Sequence, residues 1–274
     1  MTDTWLVRNM RAIKARAYSR VVGANREPSW VLFDVSLPLL SVAAYAYIYK
    51  YMDAPEEFVG FVILGGAMTA FWLNVLWSMA SQLYWEKETG NLSLFLIAPI
   101  SRMSILAGMA VGGMFATTVR AVSTMVIGIL VFGVAFSLSD PLMLALVFIV
   151  TLIALYGMGM MFASLYLIFG REAYHVSSLM TEPIYLVSGF YFPVKQLGFW
   201  TAMGASVIPI TLGLDALRQL FFPSSGGLYG FASVTNELLI LVALCVVFLI
   251  LSKFSLDYME RLGKTSGRLT LRWQ

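Results

Sequence analysis

Very few of the 274 residues combine a type and a spacing that could do chemistry. Gly263-Lys264-Thr265 has the ending of a phosphate-binding loop. That loop, however, needs an earlier glycine where Tyr258 stands, and a preceding strand where a helix tail is expected. The chain has one histidine, His175, and one cysteine, Cys245, so disulfides and His- or Cys-based metal clusters are excluded. Cys245 lies in an apolar run and reads as a small core hydrophobe. Asn91-Leu92-Ser93 matches a glycosylation acceptor, which is inert on the cytoplasmic side expected for it. With no Ser/His/Asp set and no carboxylate pair, neither a catalytic residue nor a bound metal is expected. What remains are charges in conspicuous places. Tyr84-Trp85-Glu86-Lys87-Glu88-Thr89-Gly90-Asn91-Leu92, with Ala98-Pro99-Ile100-Ser101-Arg102 after it, is a polar island between two apolar runs, and Arg120 and Glu182 sit inside such runs. An island of both charge signs must face water or another protein, which suits the docking of a soluble partner.

The elements that must position these charges are membrane-spanning. Hydrophobic residues make up 59% of the chain and charged residues 12%, and the mean hydropathy is +0.81, far from the balance of a soluble domain. Crossing the hydrocarbon takes about 20 apolar residues. Five runs are clear: Val31 to Met52, Phe58 to Leu83, Leu106 to Phe136, Leu142 to Phe169, and Leu238 to Leu251 with its flanks. Val176 to Phe192 is short and holds Glu182 and Pro183. Leu197 to Phe222 is apolar but broken by Pro209, and it carries Asp215 and Arg218. Six or seven spans are therefore open.

Basic residues near the ends of spans mark the cytoplasmic side. Arg8, Arg11, Lys14, Arg16, Arg20 and Arg26 precede the first span, and Lys253, Arg261, Lys264, Arg268 and Arg272 follow the last. Both termini are thus expected in the cytoplasm, which requires an even count. Six spans put Lys87, Arg102 and Arg171 inside, with the turn from Asp53 to Glu57, Asp140 and Glu237 outside. The fold class expected is an all-α membrane protein with six transmembrane helices, an N-terminal amphipathic interfacial helix and a re-entrant helical pair before the last span. That pair is Leu197 to Phe222, hinged near Pro209 and entered through Ser188-Gly189-Phe190-Tyr191-Phe192-Pro193; irregular backbone survives at that depth only when buried in protein or lining a wet cavity. Residues 1–28 form the connecting helix, 29–256 the transmembrane domain and 257–274 a basic cytoplasmic tail.

In the N-terminal segment Leu6, Met10, Ile13, Ala17 and Val21 recur at spacings of three and four, while Arg8, Arg11, Arg16 and Arg20 fall mostly on the other side. This predicts a helix lying along the cytoplasmic headgroups, ended at Asn25 to Pro28. A signal peptide is not expected, because the first apolar run begins only after about thirty residues. Gly108 and Gly112 form a small-xxx-small pattern that lets helices approach closely. Arg120 lies about 20 Å along its span. It either pairs with Glu182, or lines a substrate path, or marks a span drawn wrongly, since an unpaired charge at that depth is costly. Asp34 is nearer the cytoplasmic surface and reads as solvated. Phe71, Trp72 and Trp77 read as packing and interface anchors.

The order of these features resembles the permease subunit of type 2 ATP-binding cassette exporters. A basic helix, two spans, Glu86-Lys87-Glu88-Thr89-Gly90-Asn91-Leu92 leading to Ala98-Pro99-Ile100-Ser101-Arg102, further spans, then Ser188 to Pro193, Ile208-Pro209 and Leu214-Asp215-Ala216-Leu217-Arg218 carry the resemblance. Family loops read Gly-Thr-Leu-Glu after the charges; here the residues are Gly90-Asn91-Leu92-Ser93, so no role passes to Ser93. The resemblance implies a half-transporter in the inner cell membrane that is not itself an enzyme. It would hold no cofactor, with ATP and Mg on two separate ATPase subunits, and would pair with a second permease copy, contact membrane lipid and bind no nucleic acid. Glu86, Lys87, Glu88, Thr89 and Gly90 would begin the coupling helix, with the short turn from Gly170 to His175 a lesser contact. Gly189, Phe192, Pro193, Pro209, Asp215 and Arg218 would form the re-entrant element. The substrate implied is amphipathic, drug-like or lipidic, with a lipid-linked polysaccharide or glycolipid as the alternative.

Overall fold

The computed structural model describes residues 4–24, 26, 28–138 and 140–265. Among them the chain is helical throughout and has no strand. In chain order the helices are α1 (Trp5–Ala24), α2 (Pro28–Tyr51), α3 (Glu56–Leu73), α4 (Gln82–Glu88), α5 (Asn91–Ile97), α6 (Arg102–Phe132), α7 (Pro141–Phe169), α8 (Arg171–Val187), α9 (Phe199–Ala205), α10 (Pro209–Phe221), α11 (Pro223–Tyr229) and α12 (Val234–Thr265). A π-helical turn, Asn74–Met79, joins α3 to the segment before α4, and a 3-10 turn, Val194–Leu197, precedes α9.

Local signals set several of these boundaries. Glu56 and Glu57 occupy the first turn of α3, where carboxylates meet the positive end of the helix dipole. Asp140 accepts the Met143 N–H at 3.0 Å while Pro141 opens α7, which is capping chemistry. The third apolar run stops at Phe132, short of the expected Phe136.

Among the described residues, five helical stretches are long and apolar enough to cross a membrane: Val31–Tyr51, Glu56–Glu88, Arg102–Phe132, Pro141–Leu167 and Val234–Gly263. The second is the axis of the molecule, buried over 89% of its apolar window, whereas the first and last are buried over only 17%. Phe61, Phe71, Trp72 and Leu76 of this axis are fully enclosed by α2, α6, α7 and α10. Because lipid is as apolar as leucine, close packing rather than expulsion from water holds such a bundle together. Here α12 runs along α7, and α1 runs along α6.

The region after α7 differs from the rest. Only 17 residues long, α8 contains Glu172, Glu182 and Pro183, and it is shorter and more polar than the five long stretches. Helices α9 and α10 together are apolar enough for a span but are bent by 113° at the break. Phe199 at the start of α9 lies 6.0 Å from the Phe231 ring, and Phe221 at the end of α10 accepts a hydrogen bond from the Ser137 N–H. Arg218 binds the Phe61 carbonyl, so the far ends of the two limbs lie at the end of the bundle where α3 begins.

Candidate functional site

The polar island folds as a short helical hairpin. Helices α4 and α5 are joined through Thr89 and Gly90, and Gly90 takes φ +81°, a left-handed value that a side chain would strain. The Thr89 hydroxyl donates to the Trp85 carbonyl at 3.0 Å, and Ser93 donates to the Gly90 carbonyl at 2.8 Å. Trp85, Leu94 and Ile97 are exposed on this hairpin. Lys87 and Glu88 are half-buried and Thr89 is exposed.

Glu86 corrects the expectation of a charge standing in water. Only 8% exposed, it pairs with Arg16 of α1 and accepts from Gln82 Nε2 at 3.3 Å. The Arg16 guanidinium also lies 4.8 Å from the centre of the Phe95 ring, so one side chain grips both limbs of the hairpin, through an ion pair on α4 and a cation–π contact on α5. Arg20 of the same helix donates to Gln82 Oε1 at 3.2 Å. Arg16 and Arg20 therefore turn into the protein, whereas the sequence put them on the headgroup side.

Two glycines explain why α1 can come so close. A Cβ built on Gly108 would lie 2.7 Å from the Ile13 carbonyl oxygen, and one on Gly112 would lie 2.7 Å from that of Ala17. The small-xxx-small pattern of α6 is thus a seat for α1. Farther along, the Asn9 side chain accepts from the Ser101 N–H at 2.7 Å and from the Ser104 hydroxyl at 3.1 Å, capping α6 from a different helix. Arg102, at the start of α6, bonds Glu260 of α12 at 2.8 Å. The hairpin packs on α7, is tied to α1 through Arg16, and lies beside the Arg102–Glu260 bridge of α6 and α12.

Sequence reasoning did not single out Asn9 or Glu260, and it missed the inward role of Arg16. Asn9, Ile13, Arg16 and Arg20 are spaced four, three and four apart, which is one helical stripe; a count that allowed polar residues in the buried face would have found it.

Arg120 does not meet Glu182. Its guanidinium pairs with Asp34 of α2 and donates to the Ala24 carbonyl at 3.2 Å. Helix α2 packs on α6, which puts Asp34 within reach; Asp34 is therefore a partner and not merely solvated. Glu182 is exposed on α8, where Glu172, His175, Leu179, Glu182 and Leu186 form an outward stripe.

At the other end of the bundle the predicted re-entrant residues converge. Arg218, 3% exposed, donates to the carbonyls of Phe192, Phe61 and Phe190 at 3.0, 3.1 and 2.9 Å and lies 5.4 Å from the Phe61 ring centre. Asp215 accepts the Phe231 N–H at 2.7 Å. Gln219 Nε2 lies 3.3 Å from both Asp215 and Glu237 and donates to the Ala232 carbonyl at 2.8 Å. Gly189 takes φ +68° in the turn after α8, Pro193 precedes the 3-10 turn, and Pro209 opens α10. The Tyr49 hydroxyl donates to the Tyr191 carbonyl at 3.0 Å, and Tyr191 stacks on Tyr45 at 4.3 Å. This turn is clamped from α2 and α10.

Comparison with known proteins places this architecture. A model of the ABC-2 type transporter family matches residues 13–222. Two curated relatives, each a "Probable multidrug ABC transporter permease YbhR", one from Escherichia coli strain K12 and one from O157:H7, are 27% identical over 136 residues. The match takes in 50% of this chain and 36% of theirs, so it spans about a third of the length of those relatives. No solved structure matches. The family match extends from α1 through the hairpin to the end of α10, and this multi-pass membrane protein belongs to the ABC-2 type transporter family as a permease.

Proposed function

We propose that the chain is the membrane half of an ATP-driven exporter that moves an amphipathic, drug-like or lipidic substrate out of the cytoplasm or inner leaflet. Two copies pair around a central path in the inner membrane, and two separate ATPase subunits, which hold ATP and Mg, dock beneath α4 and α5. Both termini lie in the cytoplasm. Helix α8 makes the fifth of six spans, and α9 with α10 re-enters from the outside. The multidrug description of the YbhR relatives supports the drug-like class.

The observation that carries this reading is the outward stripe of α8. Arg171 opens this helix directly after Gly170, which lies against the Tyr84 ring, and Val187 closes it shortly before Phe190, whose carbonyl shares Arg218 with that of Phe61. Glu182 therefore lies about two-thirds of the way along α8 with its side chain outside the monomer's own packing. A carboxylate facing hydrocarbon within a span is costly even away from the midplane. Facing a wet path shared with a second copy removes that cost. Work enters at the hairpin: displacement of α4 and α5 by the ATPase is passed through Arg16 to α1 and through Arg102 to α12, both of which flank the bundle.

Reconstitution with the partner ATPase tests this. With Cys245 replaced by Ser, a cysteine at Leu179 should react with a water-soluble thiol reagent and be protected by transported amphipathic dye. ATP should drive dye into inside-out vesicles. An unreactive Leu179 position, with transport intact when Leu179 is replaced by Trp, would place the path elsewhere. ATP-driven movement of a lipid-linked glycan with none of the dye would replace the drug-like substrate class by the glycan class.

A further inference from the structure

We propose that the cavity enclosed by α1, α2, α6 and the π-helical turn binds the headgroup phosphate of an acidic phospholipid, with Arg20 as its principal cation. The cavity holds about 560 Å³, within the range of ligand sites. Its polar wall is Arg20, Asp34, Asn74, Ser78 and Arg120. Phe33 and Leu37, also in the wall, keep 58% and 59% of their surface exposed, so the cavity opens on the outward face of α2, where acyl chains lie. A smaller space of about 160 Å³, whose polar lining is Arg16, Ser19, Arg20, Gln82 and the Arg16-paired Glu86, adjoins it.

Charge is unbalanced here. Arg16 takes Glu86 and Arg120 takes Asp34. Arg20 has no carboxylate within ion-pair distance among the described residues and meets only the neutral Gln82 amide at 3.2 Å. Burial is the largest influence on Arg20 and lowers its pKa; the Tyr156 phenol opposes this, and the Arg120 and Arg16 guanidiniums add to it. A half-buried guanidinium without a counter-charge gains from one, and a phosphate diester answers its planar fork with paired oxygens. Basic pockets between membrane helices on the cytoplasmic side are suited to anionic headgroups. Such a lipid would also hold α1 against the bundle.

The test needs no ATPase and so is separate from the export reading. Delipidated permease in detergent is titrated with phosphatidylglycerol, phosphatidylcholine or inorganic phosphate, and binding is read by native mass spectrometry and by the shift in melting temperature. Phosphatidylglycerol should bind and stabilise, phosphatidylcholine should not, and Arg20→Gln should weaken binding by about fivefold, the effect of one headgroup charge. Arg20→Lys should restore part of it, while Arg8→Gln on the exposed face of α1 should change little. Should Arg20→Gln fail to fold, Ala116→Phe fills the cavity without touching a charge and should likewise abolish binding. Undiminished binding in Arg20→Gln or Ala116→Phe, or equal binding of phosphatidylcholine, would overturn the site. Full competition by inorganic phosphate would assign it to a free anion instead of a lipid.

Discussion

Arg218 holds two carbonyls that no helix can satisfy, those of Phe190 and Phe192, and adds a second donor to the Phe61 carbonyl of α3. A planar guanidinium presents several donors in a fixed fork, which an ammonium on a flexible stem cannot copy. Each buried carbonyl left without a donor costs about 1–3 kcal/mol, so Arg218→Met, which orphans two, should lower stability in detergent by roughly 2 kcal/mol or more. Arg218→Lys should recover only part of that. Urea titration followed by tryptophan fluorescence measures both; a loss below about 1 kcal/mol in Arg218→Met would mean that the outer turn stands without it.

Between α1 and the hairpin, the important contacts are those of one helix face. Because Arg16 and Glu86 are paired and sheltered, reversing either charge alone should loosen α1, and exchanging them, Arg16→Glu with Glu86→Arg, should recover most of the loss. Additive losses in the double-mutant cycle would show that the pair does not couple. Gly112→Leu tests the same seat from the other side. With no room for a side chain against Ala17, α1 should lift off, and trypsin should cut at Arg16 and Arg20 while the bundle remains intact. Uncut α1 in that variant would argue against the close approach. The elements themselves were largely legible in the sequence, since lipid demands long apolar helices and punishes exceptions: the five long spans, the hinge at Pro209, the Gly90 turn and the Gly108/Gly112 contact could all be read from local residues. Pairings were not legible. Arg120 was matched with Glu182 because both looked stranded, but partner choice depends on which helices adjoin, and α2 beside α6 brought Asp34 instead. Amphipathic counting likewise assigned Arg16 and Arg20 outward, because a rule that sends charges to one side cannot foresee a buried ion pair.

At the level of the molecule, the ends of each helix fix the disposition of the chain about the membrane. With Cys245 replaced by Ser, single cysteines at Asp53 and Ser224 should label in intact cells with an impermeant thiol reagent, while those at Thr89 and Thr265 should label only after the cells are opened. Labelling of Thr265 from outside would make α9 and α10 a full crossing. The π-helical turn has a further consequence. In Asn74–Met79 the Ala80 N–H reaches back to the Val75 carbonyl at 2.9 Å, so one surplus residue is stored in the turn. Each α-helical residue turns about 100° and rises about 1.5 Å. The surplus therefore acts as a phase setting between the span and the hairpin. Rewinding the full-length turn to α geometry would rotate α4 by about 100°, swinging Glu86 away from Arg16 although no contact residue has changed, whereas deleting Ser78 removes the surplus and should leave α4 in phase. A crosslink between cysteines at Arg16 and Glu86 should form both with the turn intact and in the Ser78 deletion, and should fail when one alanine is inserted between Met79 and Gln82, which rotates α4 by about 100°. If so, the wide turn is the place where a small change of helical winding becomes a rotation of the whole docking face.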